Sequence, residues 1–300
     1  MTTAWLFPGQ GSQSVGMARD LAEAHPAARD VLARVDAALG FALTKVMWKG
    51  PEDALTLTEN AQPALLAASM AALAALGDKI PPPAFVAGHS LGEYSALVAA
   101  GALELENAAR LVRLRGQAMQ RAVPPGEGAM AAVLGLTMET LEAVVEEAGC
   151  YIANDNAPGQ VVISGPADAV ARAIELAKAR GARRAMPLPV SAPFHCPLMG
   201  PAAEEMARAL EGTEIRPPRV PVVCNVSARA ETDPEHIRAL LVAQVTGRVQ
   251  WRESLSFLAS QGVTQAYEIG PGAVLTGLAK RAEPPLPCTP LGTAAVIEAL

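Results

Sequence analysis

The segment AFVAGHSLGEYSALVAAGAL, residues 84–103, reads as a strand, a sharp turn and a helix. Phe85, Val86 and Ala87 make a short apolar strand, glycines stand two residues to either side of Ser90 at Gly88 and Gly92, and an alanine-rich run follows. Small residues let the backbone reverse tightly, so that a serine can project above a sheet edge with a helix N-terminus behind it. This pattern is a nucleophile elbow, and it predicts acyl chemistry through a covalent serine ester. A turn that merely happens to contain a serine is the plainer alternative.

Working outward, strands are expected at Trp5–Phe7, Phe85–Ala87, Val220–Asn225 and Ala266–Ile269, alternating with helices such as those near 26–39, 61–76, 107–122 and 251–261. Alternation of this kind predicts an α/β fold, a parallel sheet covered by helices on both faces, with ligands at the carboxyl ends of the strands. Gly9-Gln10-Gly11 and Gly88–Gly92 both follow strands directly, which places them together at that edge. Pro124-Pro125-Gly126 and the prolines between Pro187 and Pro193 bracket a separate unit. Residues 127–190 read strand (129–136), helix (137–148), strand (151–154), strand (160–164), helix (167–180), strand (184–189), the βαββαβ order of a ferredoxin-like subdomain. The expected organisation is a hydrolase-like core from 1–126 and 191–300 with 127–190 inserted.

Composition limits what this scaffold does. A chain of 300 residues, 51% hydrophobic and 18% charged, can bury a large core. Its net charge of −6 argues against general nucleic-acid binding. Cys150, Cys196, Cys224 and Cys288 lack CxxC spacing, so neither a zinc site nor a disulfide framework is expected, and a reducing cytoplasm fits best. The first ten residues lack the charged and apolar regions of a signal peptide, and the alanine-rich run 64–76 is too short to span a bilayer. No export and no membrane are expected.

A serine hydroxyl needs a base. Of the four histidines, His25 and His236 sit in polar helix starts and are expected at the surface, while His89 lies inside the elbow on the wrong side of the serine. His195 remains, in a proline-flanked loop, Ser191-Ala192-Pro193-Phe194-His195-Cys196-Pro197, suited to holding a side chain in place. It is either the base or a buried structural histidine.

Arg115 stands out by periodicity. Along the helix 107–122, Arg110, Arg113, Gln117, Gln120 and Arg121 gather on one face, and Ala108, Leu111, Val112, Ala118, Met119 and Ala122 on the other. Arg115 falls in the apolar stripe, where a guanidinium is costly without acceptors. It meets an internal carboxylate, snorkels to solvent, or clamps the free carboxylate of a substrate. For the oxyanion, the N–H of Leu91 directly after the serine is the usual first donor. The loop Phe7–Gln13 offers a second at Gln10, unless it is a simple glycine turn.

FPGQGSQ (7–13), GHSLGEYSAL (88–97), RLRGQAMQ (113–120), NDNAPGQVVISG (154–165), SAPFHCPLM (191–199), VQW (249–251) and YEIGPGAVLTGLAKR (267–281) together resemble the malonyl-CoA:acyl carrier protein transacylases. The likeness runs through nearly the whole chain in order and is weakest from Ala282 onward. It implies Ser90 as nucleophile, His195 as general base, Arg115 as the carboxylate-binding residue and the backbone of Gln10 and Leu91 as oxyanion donors. It also implies that a main-chain carbonyl, mapped to Gln250, orients the histidine, and that Phe194 goes with malonyl over branched units.

The resemblance further implies ping-pong transfer of a malonyl group from coenzyme A to the phosphopantetheine thiol of acyl carrier protein, with no metal or redox cofactor. Carrier proteins are acidic, so Lys178, Arg180, Arg183 and Arg184 form a candidate docking patch; a solvated helix end explains them equally. The competing readings are a serine thioesterase that discharges the acyl-serine to water, a malonyltransferase serving a polyketide synthase, and a non-catalytic acyl-CoA binder.

Overall fold

The computed structural model describes residues 2–190 and 192–300; Met1 and Ser191, which opens the histidine loop, lie outside the described residues. The strands are β1 (Thr2–Phe7), β2 (Phe85–Gly88), β3 (Gly128–Leu134), β4 (Tyr151–Ala157), β5 (Gln160–Pro166), β6 (Arg184–Pro187), β7 (Val222–Cys224), β8 (Arg229–Glu231), β9 (Val263–Ile269) and β10 (Cys288–Leu291). Among the described residues they form two sheets, one in the order β10-β9-β1-β2-β7-β8 and one in the order β4-β5-β3-β6.

In the larger sheet β10, β9, β1, β2 and β7 run parallel, and β8 pairs antiparallel to β7 at the edge. The central strand β1 is apolar on both faces because both are covered. Phe7 packs with Val86, Val222 and Ile269 beneath the helices Pro26–Leu39, Thr58–Leu76 and Leu105–Arg121. Ala4 and Leu6 pack with Ala87, Val223 and Ala266 beneath Trp251–Ser260 and Val274–Ala279. The chain leaves β1 toward β2 on one side, and β9 later fills the other side. That reversal places the loops after β1, β2, β7 and β9 around one crevice.

The smaller sheet is antiparallel, and the helices Met138–Ala148 and Ala167–Ala179 bury one of its faces around Val133, Ile163 and Val144. Its strand order is that of a ferredoxin-like unit. The opposite face, carrying Met130, Asn154, Asn156, Gln160 and Val162, turns toward the crevice. A backbone splice fixes this unit to the core: Asp155 N donates to Val249 O at 2.9 Å and Val249 N to Ala153 O at 2.8 Å. Arg252 clamps the buried Asp155 carboxylate at 2.9 Å beside it.

Some elements differ from the sequence reading. β6 stops at Pro187, and residues 188–190 leave the sheet to line the crevice. β8 and β10 were not expected; β10 carries Pro290, which its edge position tolerates. Residues from 282 onward therefore supply a sheet strand and the covering helix Ala294–Glu298. The helix Thr58–Leu76 begins earlier than expected and runs through Pro63. Proline offers no N–H to Glu59 O, and Arg113 Nη1 takes that acceptor at 2.7 Å.

The elbow glycines are required by close approach. A Cβ on Gly88 would lie 1.9 Å from the backbone of Gly92, and one on Gly92 would lie 2.3 Å from Phe7 O. Gly88→Ala is expected to cost about 3 kcal/mol or more, since the obstacle is main chain that cannot swing away. The control is Gly200→Ala, where an added Cβ meets nothing within 4 Å. Thermal melts should show a midpoint lowered by several degrees for the first and little change for the second; equal midpoints would refute the steric account.

Candidate active site

Ser90 sits at φ 52°, in the left-handed region that costs a non-glycine residue roughly 1–3 kcal/mol and is held by its surroundings. Asn225, at the end of β7, does the holding. Its Oδ1 accepts from Ser90 N at 2.7 Å and its Nδ2 donates to Gly88 O at 2.7 Å, so one buried amide spans the turn. Ser90 Oγ is thereby presented to His195 Nε2 at 2.8 Å. His195 is itself at φ 57° and 4% exposed.

His195 Nδ1 lies 2.9 Å from the main-chain oxygen of Gln244, which fixes the tautomer with the proton on Nδ1 and leaves Nε2 to accept from the serine. This corrects the assignment to Gln250. The carbonyl of Gln250 is consumed by the helix it precedes, accepting from Ser254 N at 2.9 Å and Ser254 Oγ at 2.9 Å. Gln244 lies in the last turn of the helix Pro234–Thr246, where carbonyls lack intrahelical partners. Desolvation chiefly, and then the charge of Arg115, lower the His195 pKa from its ordinary value to about 3. The imidazole is neutral and ready to take a proton.

Arg115 is 1% exposed and reaches the nucleophile. Its Nη2 donates to Ser90 Oγ at 3.1 Å and to Gln244 Oε1 at 2.9 Å, and its Nη1 donates to Gln62 Oε1 at 2.8 Å. Among the described residues its Nε makes no hydrogen bond and no carboxylate forms an ion pair with it. The residues around it are neutral amides at contact distance, so a full positive charge is held beside the serine with donor capacity to spare. Burial presses its pKa downward, but a guanidinium remains a cation at neutral pH.

The crevice is a cavity of about 340 Å³ lined by Gln10, Leu91, Ser90, Arg115 and His195 together with Phe194. The elbow's own hydrogen bonds use the amides of His89, Ser90, Gly92 and Glu93 and pass over that of Leu91. The loop after β1 comes in close: a Cβ on Gly9 would lie 2.6 Å from His89 O. A side-chain chain ties this loop to the arginine. Thr58 Oγ1 donates to Gln10 Oε1 at 2.9 Å, Gln62 Nε2 donates to Thr58 Oγ1 at 3.0 Å, and Arg115 bonds Gln62.

The other histidines stand apart. His89 is bonded through Nε2 to Asn156 Oδ1 at 2.8 Å and meets the Trp251 ring edge-on, joining the elbow to the small subdomain. His236 is exposed and pairs with Glu231, and His25 is half-buried at the start of a helix rather than at the surface. All four residues of the basic patch are exposed, and Lys178 and Arg180 are paired with Glu175 and Glu147. Arg184 lies on the crevice face of the small sheet, next to Leu134 and one strand further from Gln160. Asn225, Gln244, Gln62 and the buried Glu93 were missed because nothing local marks them; each is defined by partners far away in sequence.

The sequence model described as acyl transferase domain matches residues 4–285. The chain is 50% identical over 285 residues to the malonyl CoA-acyl carrier protein transacylase of Escherichia coli K12, covering 93% of this chain and 92% of that protein. It is 50% identical over 283 residues to the protein of the same name from Bacillus subtilis 168, covering 93% and 89%. The fold superposes on the acyl-carrier-protein-S-malonyltransferase of Bartonella henselae with TM-score 0.97 at 51% identity, covering 100% of this chain and 98% of that one. It superposes equally, with TM-score 0.97 at 46% identity and coverage of 100% and 98%, on a malonyl-transacylase in complex with its type II polyketide synthase acyl-carrier protein.

The His195 pKa of about 3 leaves the imidazole neutral at higher pH, so if it is the base, kcat/KM on an uncharged acyl thioester should show no acid limb near the ordinary histidine value between pH 5 and 8. Replacing Arg115 by Met removes a charge that lowers this pKa, and should move any acid limb upward. A wild-type limb near pH 6.5 would overturn the assignment.

Proposed function

The chain belongs to the acyl transferase domain family, and from that premise we propose that it transfers malonyl groups from malonyl-CoA to the phosphopantetheine thiol of acyl carrier protein, through an ester on Ser90. The observation that carries this reading is the buried Arg115 guanidinium, held by neutral amides within 3.1 Å of the serine oxygen. An acyl group attached at Ser90 and ending in a carboxylate supplies the missing negative charge.

In the first half-reaction the Ser90 O–H bond breaks and its proton moves to His195 Nε2 as Oγ bonds to the thioester carbonyl carbon. The N–H groups of Gln10 and Leu91 receive the oxyanion. Collapse of the intermediate breaks the carbon–sulfur bond, and the departing CoA thiolate takes the proton from His195. The second half runs in reverse with the carrier thiol: His195 takes its proton, sulfur attacks the ester carbonyl, and Ser90 Oγ leaves with the proton returned. The Ser90–His195 pair supplies nucleophile and proton carrier, so the proposal assigns no step to a metal or redox cofactor. Phe194, 9% exposed in the cavity wall, is assigned the exclusion of branched acyl groups.

The reading places the reaction in fatty acid synthesis and in the cytoplasm, where the free cysteines stay reduced. Among the described residues no helix is long and apolar enough to cross a membrane. The carrier's acidic surface is assigned to the subdomain side of the cleft, where Arg183 and Arg184 are exposed at the entry to β6.

Intact-mass measurement after mixing with malonyl-CoA should show one malonyl adduct, absent in Ser90→Ala; an adduct that survives the substitution would remove Ser90 from its role. Arg115→Ala should reduce kcat/KM for malonyl-CoA by at least about 30-fold, the equivalent of ~2 kcal/mol for a buried charged hydrogen bond, while largely sparing acetyl-CoA. Equal losses for both substrates would make the arginine structural.

A further inference from the structure

Behind the elbow lies a carboxyl group that the mechanism above does not use. Glu93, on the elbow helix Gly92–Ala99, is 0% exposed. Its Oε2 accepts from Asn225 N and from Gln244 Nε2, each at 2.9 Å, and among the described residues its Oε1 has no hydrogen-bond partner. The other end of the same Gln244 amide accepts from Arg115 Nη2 at 2.9 Å. One amide group therefore stands between a buried acid and a buried cation, its N–H toward the acid and its oxygen toward the cation. An amide so placed is polarised by both charges, and a change at one end is felt at the other.

We propose that Glu93 is a positioning residue that sets how strongly Arg115 holds a substrate carboxylate, acting through the Gln244 amide, and that Glu93 takes up a proton when that carboxylate docks. The inference rests on the reading of Arg115 given above. A carboxylate on Arg115 adds a second negative charge to a region that desolvates both, and the open Oε1 is where a proton is accommodated. The groups facing Glu93 come from several elements. Arg115 approaches from the helix Leu105–Arg121 and Tyr94 stands beside it on its own helix. The Cys224 thiol abuts it from β7, with Glu231 of β8 beyond. Arg115 is the cation of this group, and the two uncharged amides of Asn225 and Gln244 complete the shell. Desolvation chiefly, opposed by these donors and by Arg115, raises the carboxyl to about 7, so its charge changes across the physiological range.

The sign follows. Raising pH ionises Glu93, which competes for Arg115 and disfavours malonyl; lowering pH protonates it and frees Arg115 for the substrate. In the limit where only the protonated form accepts malonyl, the ratio of kcat/KM for malonyl-CoA to that for acetyl-CoA falls about tenfold from pH 6 to pH 8. Glu93→Gln keeps the shape and one acceptor oxygen but cannot ionise. It should hold the ratio constant over this range, at or above the wild-type value at pH 8. A wild-type ratio independent of pH, or a Gln variant with the wild-type pH dependence, overturns the proposal. A second measurement does not depend on this variant folding. Calorimetric binding of malonyl-CoA to Ser90→Ala, in two buffers of different ionisation enthalpy, should show proton uptake approaching one per site at pH 8 and declining toward pH 6. Acetyl-CoA should cause none, and equal uptake with both ligands refutes the linkage. Failure of the underlying reading looks different: wild-type protein would then form no malonyl adduct on Ser90 at any pH.

Discussion

A guanidinium removed from water and given no carboxylate at contact distance is the constraint around which this site is organised. Desolvating such a charge costs several kcal/mol, and the hydrogen bonds from Arg115 to the side-chain oxygens of Gln62 and Gln244 offset only part of that cost. Neutral acceptors hold its geometry and leave its charge. An ion pair with a neighbouring acid would have satisfied the arginine and spent it, and Glu93 is kept one amide away. The residual field also acts on the chemistry. It helps keep His195 neutral, and through the 3.1 Å contact it favours the alkoxide form of Ser90. In the proposed reaction, selectivity and activation thus come from the same cation.

Such a site requires a rigid frame, because two of its reacting side chains stand on backbone that an ordinary residue avoids. Ser90 at φ 52° and His195 at φ 57° are maintained by bonds from other segments: Asn225 and Gln244 Nε2 on the elbow, Gln244 O on the imidazole. Among the described residues Gln244 alone touches the Ser90 carbonyl, the His195 imidazole, Arg115 and the buried Glu93. Its side chain is 0% exposed and all its polar atoms are engaged, so the helix end that bears it sets the register between base and nucleophile.

What was legible in the sequence follows from how local each signal is. The elbow and its glycines are contiguous, the misplaced arginine betrays itself against a helical stripe, and the inserted βαββαβ unit is bracketed by proline clusters. Gln244, Asn225, Gln62 and Glu93 are ordinary polar residues until their distant partners, 53 to 154 positions away, are brought to them. The displaced assignment of the orienting carbonyl shows the limit well. Motif similarity pointed to Gln250, but which carbonyl is free depends on where one helix ends and the next begins. Ala243 O is taken by Gly247 N and Gln250 O by Ser254 N, while the last-turn oxygen of Gln244 meets the imidazole. β8 and β10 were missed for a related reason: as short edge strands, three and four residues long, they carry no alternation to read.

The two helices that meet at the serine have opposite ends there, and this completes the electrostatic account. The elbow helix presents its N-terminus, with the Leu91 N–H at its head, to the place where negative charge builds on the carbonyl oxygen. The helix Pro234–Thr246 presents its C-terminus, through Gln244 O, to the imidazole that becomes positive in the same step. Each dipole opposes the charge that develops next to it, and both are fixed before substrate arrives. A neutral Ser–His pair is thus converted into an ion pair in surroundings already oriented for it. For this reason a backbone carbonyl suffices as the histidine's partner in place of an acid.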